Sequence, residues 1–253
     1  MVHMGAMPGT PASKLSVDEL VDQAVDDAKI YAEEGFDAIM LENMHDRPYL
    51  NRHVGAEVVA TITRISTEVK KAVSLPLGLQ ILAGANKEAL AVAQVCGLDF
   101  IRAEGFVFGH LADEGYMDSD AGELLRYRKM IGAGQVKVLT DIKKKHSSHV
   151  ITEDISLVET AKAAEYFLSD GLIITGTSTG VAARLEDVKA VAENTKLPVI
   201  VGSGIDTNNI EIFWDAADAF IIGSSMKFEG NWENSVDRER VKEFVNKVKS
   251  LKE

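Results

Sequence analysis

Short apolar runs alternate with longer amphipathic stretches along the chain, the pattern of strand-crossover-strand units in a parallel sheet. Eight runs read as strands: "VHM" at Val2, "DAIMLE" at Asp37, "LPLGLQI" at Leu75, "LDFIRAE" at Leu98, "VKVLTDI" at Val136, "GLIIT" at Gly171, "LPVIVG" at Leu197 and "DAFIIG" at Asp218. The segments between them carry helical signals. In "SVDELVDQAVDDAKIYAEEG", Ser16 is placed to cap, Glu19 answers it from the first turn, and Gly35 closes the far end. A final helix is expected from Asn234 to Leu251. The linkers after strands two, four and five are long: "ENMHDRPYLNRHVG", "GFVFGHLADEGYMDSDAG" and "KKKHSSHVITEDI". No Pro/Ser-rich linker, low-complexity tract or charge block interrupts the series, so residues 1–253 read as one domain. Eight units in 253 residues predict an α/β fold, a (β/α)8 TIM barrel, with a doubly wound open sheet as the alternative.

Composition narrows the partners. A net charge of −12 offers no basic field to a phosphodiester backbone or an anionic lipid surface, which argues against nucleic acid. No apolar run is long enough to span a bilayer, and "MVHMGAMPG" lacks a secretory pattern. The expected setting is cytoplasmic, or mitochondrial if a leader has been removed. The one cysteine, Cys96, sits in the apolar "AVAQVCG" run and reads as a buried small hydrophobe. Barrels of this size commonly dimerise, so a homo-oligomer is compatible with the sequence.

The opening candidate for chemistry is "PVIVGSGID", where a buried strand breaks into two glycines around a serine. Loops after the seventh and eighth barrel strands often bind phosphate through backbone N–H groups. Here "VGSGI" follows strand seven and "IIGSSMK" follows strand eight. Gly202, Gly204 and Gly223 let the backbone approach an oxygen, and Ser203, Ser224 and Ser225 add hydroxyl donors. Each bond to a charged acceptor contributes ~1.5–3 kcal/mol net, so a handful holds a phosphoryl group without an arginine. The alternative is a pair of plain strand-to-helix turns. "TGTSTG" after strand six is a third donor loop or a plain turn. The expected partner is a small phosphorylated ligand.

Polar residues at the other strand ends are informative because a barrel interior is otherwise filled with branched apolar side chains. They are His3, Glu42, Asn43, Arg102, Glu104, Asp141 and Lys143, followed by Lys145 and His146. By the period of two, Arg102 and Glu104 share one face, as do Asp141 and Lys143. Such a set supports proton transfer, with burial and mutual charge moving pKa values toward neutrality. Glu42 and Asp141 are the expected acid/base pair, with Arg102, Lys143, His146 and Glu104 beside them. The structural alternative is that the carboxylates merely pair with Arg102 and Lys143, and that "KKKHSSH" is a solvated turn. His3, Glu42 and Asp141 could hold one divalent cation, but no HxH or HExxH spacing supports it, and no cofactor is predicted. Asp141-Ile142-Lys143 is similar to the DxK element of orotidine monophosphate decarboxylases; the likeness ends there, since His146 stands where that group carries a further aspartate.

"VHMGAMPGTP", "DAIMLENMHDRPY", "FIRAE", "VLTDIKKKH", "GLIITGTSTG", "PVIVGSGI" and "ADAFIIGSSMK" resemble, in order and spacing, successive blocks of the BtpA/SgcQ family across nearly the whole chain. The resemblance implies a (β/α)8 fold, a phosphate-binding loop pair at Gly202–Gly204 and Gly223–Ser225, and motif positions at His3, Pro11, Glu42, Asn43, Arg102, Asp141, Lys145, His146, Thr175 and Gly176. Glu104 departs from the amide, and Lys143 from the histidine, expected there. The family is named for a cyanobacterial member linked to photosystem I accumulation, and other members occur in sugar-metabolism operons or in animals. Two function classes follow. One is an enzyme using acid/base chemistry on a phosphorylated sugar or nucleoside; the other is an accessory protein for assembly of a larger complex.

Overall fold

The structure, a computed structural model, describes residues 1–252. Eight strands form one parallel sheet: β1 (Val2–His3), β2 (Ile39–Glu42), β3 (Leu77–Gln80), β4 (Phe100–Ala103), β7 (Lys137–Asp141), β9 (Gly171–Ile174), β10 (Val199–Val201) and β11 (Ala219–Phe220), in that spatial order. Eight helices accompany them: α1 (Val17–Glu34), α2 (Ala56–Ala72), α3 (Asn86–Cys96), α4 (Ala121–Met130), α5 (Leu157–Tyr166), α6 (Leu185–Ala192), α7 (Ile210–Phe213) and α8 (Arg238–Lys252). This is the expected (β/α)8 arrangement. The first and last strands meet where the Met1 amino group donates to the Ile222 carbonyl at 2.9 Å.

Local sequence explains the elements. Ser16 accepts from the Glu19 N–H, Glu19 reaches back to the Ser16 N–H, and Gly35 ends α1 at φ 103°, a backbone angle that glycine reaches without strain. Leu20, Val21, Ala24, Ala28 and Tyr31 recur at helical spacing and bury one stripe of α1 against the sheet. Strands β2, β3 and β9 are buried along their whole length, as a sheet covered by helices on its outer side and filled within requires. Cys96 is half-buried, not enclosed as its apolar surroundings suggested, because it is the last residue of α3.

The long linkers after β4 and β7 are partly ordered. β5 (His110–Ala112) and β6 (Gly115–Met117) form an antiparallel hairpin, and β8 (Ser147–Ser148) pairs with the other edge of β5. The last helix starts at Arg238, four residues later than expected. Two 3-10 turns, at Ser224–Met226 and Phe228–Gly230, and a bridge between Lys227 and Val236 take up the preceding chain. Asn234 donates its side-chain amide to the Phe228 carbonyl inside that loop, where it cannot begin a helix.

Candidate active site

The parallel ladder brings charged strand ends to one mouth. His3 lies in register with Glu42, and Glu42 with Gln80. Arg102 on β4 donates from Nε and Nη2 to the two carboxylate oxygens of Asp141 at the end of β7, both at 2.8 Å. This pair is closed from water: the side chains are 4% and 0% exposed. Glu104, just past β4, accepts from Gln80 Nε2 at 3.1 Å and lies 3.3 Å from Lys144 Nζ.

The three consecutive lysines after β7 go three ways. Lys143 has φ 50°, which ends the strand alternation, and its ammonium donates to the Thr152 and Ile155 carbonyls before α5. The expectation that Lys143 shares the catalytic face with Asp141 is therefore corrected. Lys144 turns under the hairpin to Glu104 and Glu114. Lys145 alone enters the main cleft. Its backbone N–H donates to Thr175 Oγ1 at 3.1 Å.

A cleft of about 430 Å³ opens at this mouth, with His3, Glu42, Arg102 and Lys145 on its floor and the loops after β10 and β11 along one side. Backbone N–H groups of Ser203, Gly204, Gly223, Ser224 and Ser225 donate to no acceptor among the described residues. The two loops are fixed to their neighbours by close backbone fit. Gly204 has φ 67°, and a Cβ there would lie 2.1 Å from Ala182 N; a Cβ on Gly202 would lie 2.5 Å from Ile173 Cγ2 and 3.7 Å from Arg102 Nη2. On the other loop, a Cβ on Gly223 would lie 3.3 Å from His3 Nε2. The Ser225 hydroxyl donates to the Ile205 carbonyl at 2.8 Å, and Ser203 Oγ lies 3.5 Å from the Ser178 carbonyl. These two hydroxyls therefore join loop to loop, and the expectation that they face an anion gives way to backbone amides and Ser224.

Burial sets the charge states. It pushes the Glu42 carboxyl up, against the opposing pull of Arg102 and Lys145. Burial also lowers His3 well below its usual range, with Lys227 acting in the same direction. Because His3 Nδ1 donates to the Trp232 carbonyl at 3.1 Å, the neutral ring leaves Nε2 bare, 3.8 Å from Glu42 Oε2. Lys145 is lowered by burial and then by the Arg102 charge. For Arg102 burial opposes the charge, but Asp141 beside it more than offsets this and raises the pKa.

Several expected residues stand outside the cleft. Asn43 donates to Asp46 Oδ2 and accepts from the Leu82 N–H, pinning the loop after β2 to the loop after β3. Thr175 holds the Lys145 backbone, and Gly176 is an obligate close approach, since its Cβ would lie 2.2 Å from the Val181 carbonyl oxygen. His146 is exposed; its Nε2 accepts from the Thr179 N–H, tying the β7 loop to the β9 loop. His3, Glu42 and Asp141 do not converge on a cation, because both Asp141 oxygens face Arg102. Among the described residues no group of three His, Cys, Asp or Glu is arranged to hold a metal. The sequence reading missed Gln80, Lys144 and the rim residues Arg240 and Glu243. Gln80 ends the one strand from which no polar residue was taken, a signal that was visible.

A model of the BtpA family matches residues 1–250. The chain belongs to the BtpA family. It is 43% identical over 257 residues to an uncharacterized mitochondrial protein of Caenorhabditis elegans, covering 100% of this chain and 92% of that one. It is 32% identical to the photosystem I biogenesis protein BtpA of Synechocystis, covering 97% and 85%. Among solved structures it resembles phosphoribosyl anthranilate isomerase from Thermus thermophilus, with a TM-score of 0.61 at 14% identity over 90% of this chain and 94% of that one. That likeness is one of fold. Among the described residues no helix is long and apolar enough to cross a membrane.

Proposed function

We propose that this BtpA-family chain is an enzyme that holds a small phosphorylated metabolite and moves a proton on it. The observation that carries the reading is one cleft containing both the unpaired amides of two glycine loops and a set of buried, charge-shifted side chains. The amides of Ser203, Gly204, Ser224 and Ser225 receive the phosphate, as backbone donors at barrel strand ends do. Arg102, aligned by Asp141, places a fixed positive charge on the cleft floor. Glu42, biased toward its acid form, supplies or takes the proton, and the bare Nε2 of His3 is the neighbouring acceptor. Asp141 serves as the orienting partner of Arg102, and the acid/base role stays with Glu42. A solved neighbour of the same fold, phosphoribosyl anthranilate isomerase, acts on a phosphoribosyl compound, which supports a phosphorylated substrate.

The name of the Synechocystis relative favours a second reading, an accessory role in assembling a larger complex. Thermal melts with inorganic phosphate and a panel of sugar phosphates separate the two. Ligand stabilisation that survives in Glu42→Gln, is lost in Ser224→Asp, and is accompanied by turnover that falls ~10²–10⁴-fold in Glu42→Gln, fits the enzyme. No stabilisation by any phosphorylated compound, with wild-type behaviour of both variants, turns the assignment to the accessory role.

A further inference from the structure

We propose that Lys145 is a nucleophile that forms an imine with the carbonyl carbon of a phosphorylated aldehyde or ketone held in the cleft. The proposal rests on the phosphate reading above and names the substrate class for it.

Three adjacent lysines make the contrast. The Lys143 ammonium is taken up by two backbone carbonyls, and that of Lys144 by Glu104 at 3.3 Å with Glu114 at 3.9 Å. Lys145 has no carboxylate within ion-pairing distance among the described residues, yet it faces the cleft beside Glu42 and Arg102. Left-handed backbone at Lys143 (φ 50°) and His146 (φ 53°) brackets this segment, so consecutive side chains diverge. Three contacts hold it there: Lys145 N–H to Thr175 Oγ1, His146 N–H to the Thr177 carbonyl, and Thr179 N–H to His146 Nε2. Non-glycine residues in this conformation persist where the surroundings impose it, and they cluster at functional sites.

The surroundings suit an amine that must be uncharged to react. Burial and the like charge of Arg102 both disfavour the ammonium form, and Arg102 keeps its charge because Asp141 accepts from its Nε and Nη2. In the step, the Nζ lone pair attacks the carbonyl carbon, and the C=O π pair becomes an oxyanion that takes a proton, giving a carbinolamine. That proton is one that Nζ loses, so the carbinolamine is neutral; the acid form of Glu42 then gives its proton to the departing oxygen and, as the carboxylate, takes the second Nζ proton, which restores it. The C–O bond breaks, water leaves, and C=N remains. Atoms balance as amine plus carbonyl giving imine plus water, with no oxidant or reductant. The lining also bears on the rest of the substrate. Apart from the His3 imidazole it holds no aromatic ring, so no wide face is offered to a stacked nucleobase, whereas polar groups surround the floor. A short polyhydroxy carbonyl phosphate matches that lining.

The test is reductive trapping. The protein is incubated with dihydroxyacetone phosphate and sodium cyanoborohydride, and peptides are mapped by mass spectrometry. The expected result is a stable secondary amine on Lys145 in clear excess over Lys143, Lys144 and the exposed lysines, suppressed by inorganic phosphate and absent in Lys145→Arg. Should that variant fail to fold, the map of the wild-type chain still decides. Absence of a Lys145 adduct, while inorganic phosphate still raises the melting temperature, overturns the imine and leaves the phosphate site standing. An adduct on Lys145 formed as readily from dihydroxyacetone, without protection by phosphate, upholds the nucleophile and removes the phosphorylated substrate class.

Discussion

Replacing Asp141 by leucine removes the acceptor of two charge-assisted hydrogen bonds, each 2.8 Å, inside a wall that water does not reach. Two such bonds at ~1.5–3 kcal/mol give about 3–6 kcal/mol, which agrees with the ~3–5 kcal/mol typical of breaking one side of a buried ion pair. The direction of the break matters. Arg102 also lines the cleft, so its guanidinium gains access to solvent from that side once Asp141 is removed, which softens the loss. Asp141 has 0% side-chain exposure, so Arg102→Met strands a carboxylate with no such relief. The expected order is therefore Arg102→Met costlier than Asp141→Leu, with Asp141→Leu near 3 kcal/mol, and the double replacement cheaper than the sum of the two because no charge is left unpaired. Urea unfolding followed by far-UV circular dichroism measures all three. For a chain of this size the melting temperature should fall by about 6–12 °C in Asp141→Leu, at ~2–4 °C per kcal/mol. A cost below about 1 kcal/mol for Asp141→Leu, or strict additivity in the double variant, refutes a buried mutual pair.

Gly204→Ala should destabilise by more than about 2 kcal/mol, since positive φ alone costs ~1–2 kcal/mol and the new methyl meets Ala182 N; Gly97→Ala, at φ 65° with open space around it, should show only the backbone part in the same urea titration. Glu42 has its carboxyl raised by burial above its ordinary 4.5, so the folded state binds the extra proton; stability from this group is full below 4.5 and is lost as pH rises through the folded value, and Glu42→Gln should flatten that slope in melts taken across pH. His110 works in the opposite sense: burial, then the Lys144 charge, lowers it from 6.5 to about 4, so its neutral form stabilises the fold above 6.5 and that contribution is lost as pH falls toward 4. His110→Phe should make the melting temperature less sensitive to acid over that window, and an unchanged acid limb contradicts the assignment.

What could be read from the chain was what depends on neighbours in sequence. The eight strands announce themselves as apolar runs, and the glycine loops after β10 and β11 lie where strand and turn chemistry put them. Lys143 was misjudged because alternation was carried past Asp141, where the strand ends and Lys143 turns left-handed, and Lys144 was passed over. A period of two says nothing once the extended backbone stops. For Asp141 the sequence left two readings open, an acid/base group or an ion-pair partner of Arg102, because a contact between residues 39 apart cannot be read from spacing. The β5–β6 hairpin was passed over as linker although "DEG" at Asp113–Gly115 is a turn signal; strands of three residues carry too little periodicity to stand out.

The way the mouth loops are tied bears on which function class they serve. The β7 loop is held to the β9 loop at Thr175 and Thr179, the β9 loop presses on Gly204 through Ala182, and the β10 loop is held to the β11 loop through Ser225 and Ile205. Side chains thus satisfy the loops' own needs and leave the amides of Ser203, Gly204, Ser224 and Ser225 fixed in place. Donors already ordered need no ordering when a ligand arrives, so more of the phosphate's interaction energy remains available for placing the far end of the molecule. That energy raises rate only if the far end meets a reacting group. On the proposed reading it meets Lys145, Glu42 and an Arg102 whose orientation Asp141 fixes. This favours the proposed enzyme reading over a surface used only for assembly, because burying three ionisable groups at a cleft floor costs stability that a docking face could avoid.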